Sequence, residues 1–114
     1  MDVKDFIKKQ EEFDDKFDCL KRWNKKITQD NLDVLGYLLL AASGEIGEAC
    51  NIAKKVIRGD CPLSEKYDHL SEEIVDAYIY IVKLINQLGI DLETAYENKM
   101  KINEKKFGEK DGKR

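Results

Sequence analysis

Residues 33–57, DVLGYLLLAASGEIGEACNIAKKVI, decide the fold. Spaced at roughly 100° per residue, Leu35, Leu38, Leu39, Ala42, Ile46, Ala49, Ala53, Val56 and Ile57 fall on one stripe, the signature of an amphipathic helix. The helix is interrupted in its own middle by Ser43–Ala49, SGEIGEA. Each glycine costs a helix interior about 1 kcal/mol relative to alanine, and a carboxylate near a core is tolerated only when its charge is compensated. An interruption of this kind points to a site.

Outward from this helix the same periodicity recurs. Val3, Phe6, Phe13, Phe17 and Leu20 predict a first helix over about residues 3–22, and residues 24–31 form the connection to the second. Gly59 and Pro62 stop the second helix, and Ser64 or Ser71 begins a third that reaches Leu88. Gly89 ends it, and Asp91 caps a fourth helix running to about Phe107. No stretch alternates with the two-residue period of a half-buried strand. The expected fold is therefore all-α, a four-helix bundle-like protomer in one domain over residues 1–107, with residues 108–114 as a disordered tail.

Composition narrows the function. At 114 residues the chain holds one core, and its 38% charged residues suit amphipathic helices. A net charge of −3 gives no electrostatic case for nucleic acid as a partner. Cys19, Cys50 and Cys61 are odd in number and contain no CxxC pair, which fits reduced thiols in a cytoplasm rather than a disulfide framework. The alternating charges of residues 1–17 do not form a signal peptide, and the apolar run 34–42 is too short to span a membrane. Arg58-Gly59-Asp60 reads as an ordinary turn.

The carboxylates carry the chemistry. Glu45 and Glu48 lie roughly 20° and 80° beyond one edge of the second helix's stripe. The third helix has its own stripe, Leu70, Ile74, Ala77, Tyr78, Ile81, Leu84, Ile85 and Leu88, and Glu73 and Asp76 are displaced by the same angles in the same rotational sense. The short 59–64 connection makes the two helices antiparallel neighbours. A twofold axis perpendicular to such a pair brings equally displaced features out on one side, so the ExxE and ExxD motifs converge. Four gathered carboxylates repel one another without cations, and an all-oxygen donor set suits Mg²⁺, or Mn²⁺. His69, the only histidine, has no Glu-x-x-His partner of the di-iron type and reads as a surface residue.

On the fourth helix Leu92, Ala95, Tyr96, Met100 and Phe107 define an inward arc, and Lys99, Asn103 and Lys106 fall within it. Polar groups at apolar positions mark functional sites, and cations beside a carboxylate-metal cluster suit a polyphosphate. Lys55, two turns beyond Glu48, is a further candidate phosphate contact, whereas Lys54 and Arg58 solvate the helix end. Ser43, Gly44 and Gly47 lie away from the carboxylates and form a small-residue groove for close approach by another helix. Val75, Ile79 and Val82 make the third helix apolar on its back as well, which predicts a homodimer or homotetramer.

GEIGEACNIAKK followed by SEEIVDAYIYIVKLINQLGIDLETAYENKMKINEKKF resembles the MazG-like all-α nucleoside triphosphate pyrophosphohydrolases over about residues 31–107. FDCLKRWNKKITQDNL is similar, more loosely, to the segment preceding ExxE in the related dCTP and dUTP pyrophosphatases. The resemblance implies Mg²⁺-dependent hydrolysis of a nucleoside triphosphate between the α and β phosphates, giving the monophosphate and pyrophosphate. It assigns Glu45, Glu48, Glu73 and Asp76 to the metal and to catalysis, and leaves Glu72 outside the motif. A lysine, Lys106, stands where the family often has arginine, giving a point charge in place of a planar fork. Related members recognise the base in an aromatic and polar pocket, for which Trp23 is the candidate. The alternatives are a catalytically inactive helical oligomer that binds metal or nucleotide for regulation, and an inert interaction domain.

Overall fold

A computed structural model of the chain describes residues 1–17 and 24–111. Among the described residues there is no strand, and four α-helices run in chain order: α1 (Val3–Phe17), α2 (Leu32–Ile57), α3 (Leu63–Gln87) and α4 (Leu92–Asp111). A single 3-10 turn, Gln29–Asn31, leads into α2; the Thr28 hydroxyl accepts from the Asp30 N–H, and the Asn31 side chain accepts from the Thr28 N–H.

The two helix stops expected at glycine are built alike. Gly59 and Gly89 have positive φ, 85° and 70°, a backbone region that L side chains avoid. At the first stop the Gly59 N–H donates to the Val56 carbonyl and the Asp60 N–H to that of Lys55. At the second, Gly89 donates to Asn86 and Ile90 to Ile85. Both are Schellman endings, which satisfy carbonyls the helix leaves unpaired. The Arg58–Asp60 ion pair, at 2.6 Å, closes the first turn across Gly59. Asp91 caps α4, its carboxylate accepting from the Thr94 backbone N–H and hydroxyl.

Two boundaries differ from expectation. Helix α3 starts at Leu63, because Pro62 takes the extended N-cap conformation and its carbonyl accepts from the Glu65 N–H; Ser64 falls inside the first turn. Helix α4 passes through Gly108 to Asp111, where a disordered tail was expected from residue 108. Gly108 does not take the positive φ by which Gly59 and Gly89 end their helices.

Helix α3 is the centre of the molecule, with α2 packed along it and α1 packed on another of its faces. The described core is small: Leu38, Ala42, Ile52, Ala77, Val82 and Leu84 are its buried apolar residues. The hairpin buries only part of the stripes read from the sequence, namely Leu38, Ala42, Ala77 and Leu84. Ile46, Ile74, Tyr78 and Ile81 stay exposed and, with Ala49, Ala53 and Leu70, line an open groove of about 430 Å³. The back of α3 is instead partly covered within the chain, since Val82 beneath α1 is only 2% exposed. Among the described residues no helix enters the small-residue groove: nothing lies within 4 Å of a Cβ placed at Gly44 or Gly47.

Helix α4 departs furthest from the expected bundle. Among its described side chains only Asn103 is half-buried, and Leu92, Tyr96, Met100 and Phe107 are all exposed. The radius of gyration is 17.9 Å, against about 13 Å for a compact domain of 100 residues. A 20-residue helix standing clear of the core accounts for the excess. No helix among the described residues is long and apolar enough to cross a membrane.

Candidate metal centre

The hairpin brings three of the four motif carboxylates together. Glu45 from α2 and Glu73 and Asp76 from α3 each offer an oxygen, and these oxygens all lie within 4.8 Å of one another. Glu73 is buried at 8% exposure, Glu45 is half-buried and Asp76 is exposed, so the cluster runs from the core outward. Glu48 is exposed and outside this trio, yet it reaches Glu73 closely enough to act on its proton. The convergence argued from antiparallel packing holds for three residues, with the fourth at the rim.

Electrostatics show what the arrangement costs. Glu73 is pushed up to about 8 from an ordinary 4.5, first by the hydrogen bond its protonated form shares with Glu45, then by that with Glu48, then by burial and by the two neighbouring charges. Carboxylates crowded into one site cannot all ionise, so the cluster retains a proton at neutral pH. His69, one turn before Glu73, places Nε2 3.3 Å from Glu73 Oε1. The other oxygen, Oε2, is buried and no N–H or O–H donor group among the described residues reaches it when the carboxylates are ionised. An orphaned buried carboxylate oxygen facing two more carboxylates is what a divalent cation would satisfy.

The candidate lysines are not among the groups that shift Glu73. Every neighbour that shifts Glu73 is a carboxylate acting upward. Lys55, Lys99 and Lys106 are exposed, and the Lys106 ammonium lies 5.8 Å from the centre of its neighbour's ring, Phe107. Asn103 is half-buried on α4. Trp23 and Cys19 lie outside the described residues, while Cys50 and Cys61 are free thiols.

Sequence reasoning missed several residues around the cluster. A cavity of about 240 Å³ opens beside Asp76, lined by Gln10, Phe13, Asp14, Ile79, Tyr80 and Lys83. Burial raises the Tyr80 hydroxyl, and the nearby Tyr37, Glu45, Asp76 and Asp14 raise it further, which places it between cavity and cluster. Spacing could have found these: Asp76, Tyr80 and Lys83 share a face at i, i+4 and i+7, and His69 precedes Glu73 by four.

The raised Glu73 pKa has a measurable consequence for the metal-free protein. Below pH 4.5 both folded and unfolded chains hold this proton; between 4.5 and about 8 the unfolded chain loses it while the folded one keeps it. Stability therefore falls as pH rises through that window and levels above it. Thermal melts in chelator should show this decline, and it should vanish in Glu73→Gln; an unchanged slope in that variant would contradict it.

Comparison with known proteins adds a relationship. The chain is 32% identical over 73 residues to the Gene 37 protein of Mycobacterium phage L5, an overlap covering 62% of this chain. It spans 64% of that relative's length. The relative's name states no activity. No protein-family model matches the chain, and no solved structure matches it.

Proposed function

We propose that the chain is a MazG-like, Mg²⁺-dependent nucleoside triphosphate pyrophosphohydrolase acting in the cytoplasm, with Mn²⁺ as an alternative ion. The observation that carries the reading is the cluster of Glu45, Glu73 and Asp76 across an antiparallel hairpin, with the buried Glu73 Oε2 unpartnered. Those three residues would hold the ion, which when bound supplies Lewis-acid chemistry at phosphate oxygens and at an attacking water. Glu48 stands outside the trio but within reach of Glu73, so it is the carboxylate free to accept the water's proton. Breaking the bond between the α and β phosphates needs no covalent nucleophile; it needs a positioned water and neutralised oxygens.

The test is a panel of nucleoside triphosphates with Mg²⁺, assayed for monophosphate and pyrophosphate. The expected result is equal amounts of both and no turnover in chelator. Orthophosphate as first product contradicts cleavage between α and β. Metal bound at the cluster with no product from any nucleotide would favour the regulatory oligomer.

A further inference from the structure

Lys83 is the buried cation that the proposed chemistry leaves unused. It is 6% exposed, in the middle of α3, and its Nζ lies 2.5 Å from Asp14 Oδ2 and 3.1 Å from Asn24 Oδ1. Asp14 belongs to α1, and its other oxygen accepts from Gln10 Nε2 at 3.0 Å. Asn24 in turn donates to the Glu11 carbonyl at 3.1 Å and to Asp15 Oδ1 at 2.8 Å, and Asn86 donates to Glu11 Oε1 at 2.9 Å. Helix α1 buries none of its own residues. One apolar tie to α3 is the edge-on contact of Phe6 with Tyr78, ring centres 5.1 Å apart and near the other end of the helix. The C-terminal half of α1 is thus docked by a polar network with Lys83 at its centre.

That docking determines a shape. Gln10, Phe13 and Asp14 of α1 form one wall of the cavity beside Asp76, and Ile79, Tyr80 and Lys83 of α3 form the other. We propose that Lys83 is a positioning residue: by clasping Asp14 and Asn24 it holds α1 as the outer wall of this cavity and so sets the space available to a ligand held at the carboxylate cluster. The residue touches neither the cluster trio nor the bond to be broken; it acts through α1. The ligand part of this inference rests on the nucleotide reading above, whereas the clasp itself does not.

Physical precedent makes the role separable from general stability. Removing one member of a buried ion pair strands the other, but replacing both by apolar residues of similar size is often neutral or stabilising. Lys83→Met and Asp14→Asn should therefore each release α1, and the pair Lys83→Met with Asp14→Leu should dock it again.

The experiment reads three quantities on the full chain. Amide hydrogen exchange over residues 3–17 should quicken by about tenfold or more in each single variant, with α2 and α3 unchanged, and recover in the pair. The affinity of Mn²⁺ alone should stay within about twofold of wild type, since the cluster is untouched. The KM for the nucleotide should rise about tenfold with kcat held within about threefold, and return in the pair. Slow exchange of α1 in both single variants overturns the clasp, as does exchange that quickens equally throughout the chain. A released α1 with unchanged KM overturns the role in shaping the cavity and leaves the nucleotide reading standing. If wild type neither binds nor cleaves any nucleotide, that reading and the ligand role fall together, and the exchange data still decide the clasp.

Discussion

Glu73→Gln is expected to lower metal-dependent nucleotide turnover by more than about 100-fold, because groups that merely hydrogen-bond to a metal ligand already cost 10–100-fold when replaced. Glu73 is the one member of the cluster that is buried, and its Oε2 has no other partner. Glutamine keeps the shape and removes the charge, so the remaining Glu45 and Asp76 present a weaker site with one fewer negative charge. The same substitution should not destabilise the metal-free protein. At pH 5 Glu73 is already protonated and the change is nearly isosteric; above about 8, where wild type carries the full repulsion, the variant should melt higher. Loss of turnover with a gain in alkaline stability is a combination that damage to the fold cannot produce. Turnover at the wild-type level with saturating Mg²⁺ would remove Glu73 from the site.

The reasons some features were legible and others not are local. Gly59, Gly89 and Asp91 announced their turns because positive φ and side-chain capping are properties of a few neighbouring residues. Convergence of Glu45, Glu73 and Asp76 was legible because a short connection and a helical period determine which side of a hairpin a residue emerges on. What spacing does not reveal is whether a third helix covers a face. Val82 and Lys83 sit where α1 covers α3, and no periodicity in α3 alone distinguishes a face covered by another helix from a face left open. The same ambiguity misplaced the stripe of Ile74, Tyr78 and Ile81, which is apolar yet unburied. Lys99 and Lys106 are likewise exposed, because the arc that placed them inward is made of residues that the described part of the chain does not cover.

Those uncovered residues lead to the other large effect: the chain is expected to run in light scattering as a dimer or tetramer of its 13.2 kDa protomer at micromolar concentration. The surface that calls for a partner is not the back of α3, where Val82 is covered by α1, but the groove of Ile46, Ile74, Tyr78 and Ile81 and the exposed face of α4. A contiguous apolar surface of this kind marks an interface. With so few apolar side chains buried among the described residues, the protomer gains little there to oppose the entropy of ordering four helices. Melting should accordingly depend on protein concentration, as it does when folding and assembly are linked. Ile74→Glu places an extra carboxylate in the groove one residue from Glu73, where burial by a partner would cost several kcal/mol without a compensating cation. That variant should appear as a monomer, or melt far below wild type, while Ile74→Leu behaves as wild type. A stable 13.2 kDa monomer for wild type, with a melting temperature independent of concentration, would show that the groove and α4 are tolerated in water as they stand.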